Sequence, residues 1–339
     1  MKSVEQFLLA SNLNNLCVSG TKIGEQAFLI SYLSSPVFFV VGDGETAYKA
    51  YQQLLALNKR VELLDSVDNP YIVSKYQSQE NAIKLINTLY KMVNNKVDII
   101  VLTPQVLNLK LGSFKHFKQN IVKFNIDQTI DLQHTIKQLI KIGYKREDTV
   151  QQIGEFAVRG DVIDIFAPNH SHPIRINLFD DLIENIIYFD NINLATISKL
   201  ESVDICPMKD LILDDDTQNE YIKSLSKLAE QTHENKLYEI VSQFEMSGKI
   251  SNEYLCLAEH KFETIFDYLP KARLVISNPL HIKTQLEQIC NEQIKFIENI
   301  FTNEKIKTIL MPSSDFVCDD KQVLDVLFYY QITRNDAEI

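Results

Sequence analysis

Residues 154–190 read GEFAVRGDVIDIFAPNHSHPIRINLFDDLIENIIYFD. Short runs of β-branched and aromatic residues are separated by Gly160, by a segment with prolines at 168 and 173, and by Asp180-Asp181. That punctuation predicts antiparallel strands joined by short turns. Side chains alternate across a sheet. Ile174, Ile176 and Leu178 therefore share an apolar face that must meet a core, and Arg175, Asn177 and Phe179 share the other. In the preceding strand, Phe156 and Val158 oppose Glu155, Ala157 and Arg159. Arg159 and Arg175 thus lie on the outward face with Phe179 alongside. An aromatic beside two arginines is the composition of an interface hot spot. Spacing leaves a second reading open, in which the arginines pair with Glu155 or Asp181 and Phe179 lies under a loop. Gly160 after Arg159 fits a bulge or tight bend.

Outward from this meander the pattern changes on both sides. Val37-Phe38-Phe39-Val40-Val41 is a continuous apolar run stopped by Gly42-Asp43-Gly44, which predicts a buried parallel strand and a tight turn. Residues 46–57 carry helical spacing, and Ala82, Leu85, Ile86, Leu89, Tyr90 and Val93 follow the i, i+3, i+4 rule of an amphipathic helix. A second buried strand is predicted at 97–102, closed by Thr103-Pro104, and a helix at 132–142 with Gly143 as its C′ residue. Beyond 211 the pattern is helical again. Asp214-Asp215-Asp216 reads as a solvated linker or helix start, Leu274-Val275-Ile276 as a buried strand before Ser277-Asn278-Pro279, and Ile282, Leu286, Ile289, Cys290, Ile294, Ile297, Ile300 and Phe301 as one side of a long helix. Strands alternating with helices predict α/β layers. The expected organisation is an α/β domain at 1–125, a β-rich domain inserted at 126–210, and a helical α/β portion at 211–339 that packs back on the first.

Composition narrows the function classes. The chain has 339 residues, 45% of them hydrophobic and 23% charged, values of an ordinary globular protein. A net charge of -11 argues against strong nonspecific DNA binding, which needs clustered Lys and Arg, and favours a protein partner. No apolar run approaches the roughly 20 residues of a membrane span, and residues 1–9 do not read as a signal peptide. Cys17, Cys206, Cys256, Cys290 and Cys318 are odd in number and widely spaced, with no C-x-x-C pair, so neither zinc nor a disulfide framework is indicated and a reducing cytoplasm is expected. His170 and His172 lack further ligands at metal spacing and read as a solvated turn.

Ser19-Gly20-Thr21-Lys22-Ile23-Gly24-Glu25-Gln26 lies where an α/β NTPase carries its phosphate loop. A working loop reads G-x-x-x-x-G-K-[ST]. Here Gly20 and Gly24 are four apart, Glu25 and Gln26 stand where Lys and Ser/Thr belong, and Lys22 is misplaced within the loop. A carboxylate there would repel a triphosphate. The expectation is a remnant loop that binds no nucleotide, and a chain with no cofactor, metal or catalytic residue. Gly42-Asp43-Gly44 lacks the third glycine of a dinucleotide fingerprint.

The strings GEFAVRGDVIDIF, PIRINLFDDLIENIIYFD and LESVDICP resemble the second domain shared by UvrB and the bacterial transcription-repair coupling factors, the domain that binds UvrA in that family. LYKMVNNKVDIIVLTPQVL (89–107), LIKIGYKREDTVQQIGEFAVRG (139–160) and EYLCLAEHKFETIFDYLPKARLVISNP (253–279) resemble coupling-factor segments on either side, so the resemblance spans most of the chain and is thinnest at 1–35 and 305–339. It implies that the three parts correspond to UvrB domains 1A, 2 and 1B, with a degenerate P-loop NTPase-like α/β domain. It places Arg159, Arg175 and Phe179 on UvrA-contacting positions. The missing P-loop, and a 65–95 region too short and helical for UvrB's DNA-clamping hairpin, choose the coupling factor over UvrB. The implied function is a noncatalytic adaptor that recruits UvrA, and with it nucleotide excision repair, to stalled RNA polymerase. Contacts with RNA polymerase and DNA are expected from regions beyond residue 339, as is a translocase motor, so the chain is expected to be a fragment or a truncated product. The rival expectations are a UvrB-like, ATP-dependent DNA-damage-binding subunit and an interaction protein that has lost its partner.

Overall fold

The computed structural model describes residues 19–34, 36–65, 79–107, 109, 111–212, 215–247 and 263–300. Residues 1–9, Cys17, Asp214, residues 253–262, Phe301 and Cys318, all read above, lie outside the described residues, as do the side chains of Cys290, Ile294, Ile297 and Ile300. In chain order the elements are α1 (Ile23–Ser31), β1 (Val37–Val40), α2 (Gly44–Ala56), β2 (Val61–Leu64), α3 (Gln79–Val93), β3 (Ile99–Leu102), α4 (Pro104–Leu107), α5 (Phe114–Gln119), β4 (Val122–Asn125), α6 (Leu132–Lys141) and β5 (Lys145–Arg146). There follow β6 (Glu155–Arg159), β7 (Val162–Ile165), β8 (Ile174–Phe179), β9 (Leu182–Phe189), β10 (Thr196–Leu200), β11 (Ser202–Ile205), α7 (Asp215–Thr232), α8 (Asn235–Ser247), β12 (Arg273–Ile276) and α9 (Pro279–Ile300). The fold is mixed α/β, with one parallel sheet and one mainly antiparallel sheet. The chain divides into two compact units at 77/78, 94/95, 110/111 and 212/213.

The first unit holds a four-stranded parallel sheet in the order β12-β1-β3-β2. The Val37–Val40 run is buried throughout because it lies between two neighbours, Val37 pairing with both Ile99 and Arg273. Ala27, Ile30, Ala47, Ala50 and Leu54 from α1 and α2 close over it. The Gly42-Asp43-Gly44 turn serves as a helix start. Asp43 Oδ1 accepts the Thr46 N–H at 2.8 Å, and this bond holds the Asp43 carboxyl below its ordinary range. Gly42 has no room for a Cβ, because the His281 ring lies against it. β2 is absent from the sequence reading, since VELL is short and broken by Glu62. Its start is pinned by Arg60, whose Nε and Nη2 reach the Asp98 carboxylate at 3.1 and 2.6 Å. β12 is half-buried rather than buried, because it is the edge of the sheet.

The second unit takes in residues 111–125 and α3, which the sequence reading assigns to the first domain. Pairing explains the difference. β4 joins β11 in a separate antiparallel ladder, Val122 opposite Ile205, and Tyr90 of α3 donates to Asp204 Oδ2 at 3.3 Å. The remaining strands form a six-stranded sheet in sequential order from β5 to β10, antiparallel except for the two-residue β5, which runs parallel to β6. Phe156, Ile163, Ile165, Ile174, Ile176, Leu178, Ile183 and Ile186 supply its inner face, and Ile136, Leu139 and Ile142 of the α6 region pack with them in one core. Helix α6 starts at the Asp131 cap and is followed by Gly143 at φ +104°.

The turn at 168–173 is not simply solvated. His172 is exposed, but His170 is half-buried. Its Nδ1 lies 2.5 Å from the Tyr188 hydroxyl and its Nε2 lies 2.8 Å from the Asp204 carbonyl. A carbonyl only accepts, so Nε2 donates there. Among the described residues no group of three His, Cys, Asp or Glu is arranged to hold a metal ion, and no helix is long and apolar enough to cross a membrane.

Close backbone approach fixes one junction of the second unit. A Cβ on Gly112 would come 2.5 Å from the Asp210 carbonyl oxygen and 2.9 Å from Leu211 Cα. Backbone on both sides leaves it nowhere to go. Gly112→Ala is expected to lower stability by about 2 kcal/mol, read as a fall in the urea midpoint with an unchanged m-value.

Candidate functional site

The outward face of the six-stranded sheet is set by register. Arg159 of β6 pairs with Val162 of β7, which pairs with Asn177 of β8. Arg159 is therefore level with Asn177, midway between Arg175 and Phe179 on the same face. The spacings are about 13 Å along β8 from Arg175 to Phe179 and about 10 Å across two strands. One face thus carries all three residues. Backbone contacts brace the end that holds Phe179. Gly160, at φ +58°, turns β6 into β7, and Asp180, at φ +63°, turns β8 into β9. The Leu178 N–H donates to the Asp161 carbonyl at 2.8 Å, and the Ile130 N–H donates to the Asp181 carbonyl at 2.9 Å. These bonds tie both hairpin tips to each other and to the 127–130 segment.

Phe179 is 73% exposed at one of those tips and lies under no loop. The two arginines differ from one another. Arg175 donates from Nε to Asp164 Oδ1 at 2.7 Å and from Nη2 to Asp164 Oδ2 at 2.9 Å, and its guanidinium lies 4.4 Å from the Phe189 ring centre. Its side chain is 19% exposed. Arg159 donates from Nη2 to Asp164 Oδ2 at 2.7 Å and stays 47% exposed. The hydrogen bonds to Asp164 push the Arg175 guanidinium above its ordinary value, so it is a fixed cation.

Both arginines therefore have an internal carboxylate, but it is neither Glu155 nor Asp181. The Glu155 carboxylate accepts the Gln151 and Gln152 N–H groups at 2.8 and 3.0 Å. The acceptor is Asp164, 2% exposed and directly across from Arg175 in the β7–β8 ladder. The sequence reading missed it. The available signal was an acid inside the apolar run Val162-Ile163-Asp164-Ile165-Phe166, on the parity of Val162 and hence on the outward face. Ala157, Ile187 and Phe189 on that face are also buried, so of the three residues Phe179 and the outer part of Arg159 are the open ones.

The loop residues Gly20, Lys22 and Gly24 lie at the start of α1. Gly20 has φ +74°, Lys22 is the N-cap residue, and Gly24 sits in the first turn against the Gln53 side chain. The Lys22 N–H donates to Glu25 Oε2 at 2.8 Å. A side-chain carboxylate therefore already occupies the electropositive end of the helix, where a phosphate-binding helix offers its N–H groups to the ligand. Cys206 is the free thiol among the described residues. Burial pushes it up to about 12, which disfavours the thiolate.

Residues 122–211 match the family described as the UvrB interaction domain. The segment carries every strand of the meander and all three outward residues. Most of the chain is similar to the N-terminal region of transcription-repair-coupling factors. The one from Bacillus subtilis is 25% identical over 327 residues, which cover 91% of this chain and 28% of that protein. The one from Staphylococcus aureus strain RF122 is 28% identical over 238 residues, 66% of this chain and 20% of that protein. UvrABC system protein B of Fervidobacterium nodosum is 27% identical over 232 residues, 64% of this chain and 35% of that protein. The chain thus spans 20% to 28% of the length of these coupling factors.

Exposure and pairing give the outward residues of the six-stranded sheet different stability roles. Phe179→Ser is expected to leave the urea midpoint within about 0.5 kcal/mol of the parent, since the ring is open to solvent. Arg175→Ala is expected to cost about 2 kcal/mol or more, because it leaves the buried Asp164 carboxylate short of two donors.

Proposed function

We propose that this chain is a noncatalytic adaptor that binds UvrA through the outward face of its UvrB interaction domain. The observation that carries the reading is the open pair of Phe179 and Arg159 on a sheet end braced from both sides. An exposed ring fixed on rigid backbone offers apolar area with little ordering cost, and an arginine beside it adds charge-assisted hydrogen bonds to partner carboxylates. The similarity to transcription-repair-coupling factors supports a role in nucleotide excision repair, with UvrA recruited to stalled RNA polymerase in the cytoplasm. In this reading, contacts with polymerase and DNA belong to other parts of a coupling factor.

The reading also takes the 19–26 segment as a degenerate phosphate loop in a P-loop NTPase-like domain. Glu25 at the helix start supports this, since its carboxylate would meet a phosphate with like charge. The similarity to UvrABC system protein B favours the rival, an ATP-dependent subunit that binds damaged DNA. Ligand binding raises thermal stability by mass action. Thermal unfolding with millimolar Mg-ATP is expected to match unfolding without it, and a reproducible rise in Tm would favour the rival.

The interface is tested with purified UvrA on a sensor surface. Phe179→Ala, with its unfolding curve unchanged, and Arg159→Glu, with some loss of stability because it removes a donor from the buried Asp164 carboxylate, are each expected to weaken binding at least roughly tenfold, consistent with loss of a hot-spot contact. Undiminished binding by both variants would remove this face from the interaction.

A further inference from the structure

We propose that Asp164 is a positioning residue of this face: it fixes the direction in which Arg159 is presented, and Arg175 serves to hold Asp164 rather than to reach the partner. The proposal rests on the reading of the face as a UvrA interface and divides the labour within it. Asp164 lies directly opposite Arg175 in the ladder and diagonal to Arg159, whose own cross-strand neighbour is Val162. Arg175 uses its fork on both oxygens of the carboxylate and lies over Phe189, leaving little of it open. Arg159 uses a single nitrogen, Nη2, on the same carboxylate, and half of its side chain faces solvent. A guanidinium has five N–H donors in a rigid plane. Holding one edge of that plane orients the remaining donors before any partner arrives, which reduces the freedom lost on binding.

A buried acid on a face that meets carboxylates also makes the sign of its effect diagnostic. Replacing Asp164 with asparagine makes the face more positive. If charge alone governed the encounter, an acidic patch on UvrA would then associate faster and bind more tightly. If Asp164 works by orienting Arg159, the same change weakens binding. It also does so only where Arg159 is present, because the effect is transmitted through that side chain.

The test is a double-mutant cycle on the full chain, with purified UvrA as the probe and with dissociation constants and association rates read at several salt concentrations. Arg159→Ala is expected to weaken binding roughly tenfold. Asp164→Asn is expected to weaken it by several-fold despite the gained positive charge, and the double variant is expected to bind no worse than Arg159→Ala alone, the signature of coupled residues. Asp164→Asn binding as tightly as the parent or tighter, or losses that multiply in the double variant, would overturn the proposal. A general structural defect would persist without Arg159 and so shows as multiplied losses. Should Asp164→Asn fail to fold, Asp164→Asn with Arg175→Met removes both buried charges and takes its place in the cycle, with the same expected coupling to Arg159. A parent chain that shows no UvrA binding overturns the interface reading itself, and this proposal with it.

Discussion

A carboxylate buried on the outward face of a sheet is unstable there unless donors surround it. Asp164 meets that constraint with three guanidinium N–H bonds from strands on both sides. Much of the character of the face depends on this arrangement. It draws Arg175 down onto Phe189, it tethers one edge of Arg159, and it leaves Phe179 as the exposed apolar group of the set. The same interaction ties β6, β7 and β8 together on the side away from the core, where Ile163, Ile176 and their neighbours do so from within.

The two ends of the chemistry are handled by opposite means. At the sheet, a buried acid organises cations. At the first helix, an exposed acid, Glu25, takes a donor that a phosphate-binding loop would keep for its ligand. Both are local pairings of a carboxylate with donors of the chain itself.

Much of the architecture is legible along the chain because the signals are periodic and strong. The Val37–Val40 run needs two flanking strands to cover it, and the alternation in Ile174–Phe179 assigns each side chain to a face without further information. β2 escaped because four residues with a glutamate among them carry no period. His170 escaped because its partners, Tyr188 and the Asp204 carbonyl, are distant in sequence. The placement of α3 and residues 111–125 escaped for the same reason, since β4 depends on β11. Asp164 was visible as an anomaly in an apolar strand, yet its meaning required knowing that Arg175 stands opposite and Arg159 diagonally.

By itself the sequence determined the strand faces, the tight turns, the departure of residues 19–26 from the phosphate-loop pattern and the three outward residues, because each follows from local spacing and residue chemistry. Only the tertiary structure decided which of those residues is free to act. Pairing register, set by the packing of a whole sheet on its core, brings Asp164 within reach of both arginines, so Arg175 is committed inside the molecule while Arg159 and Phe179 remain at its surface.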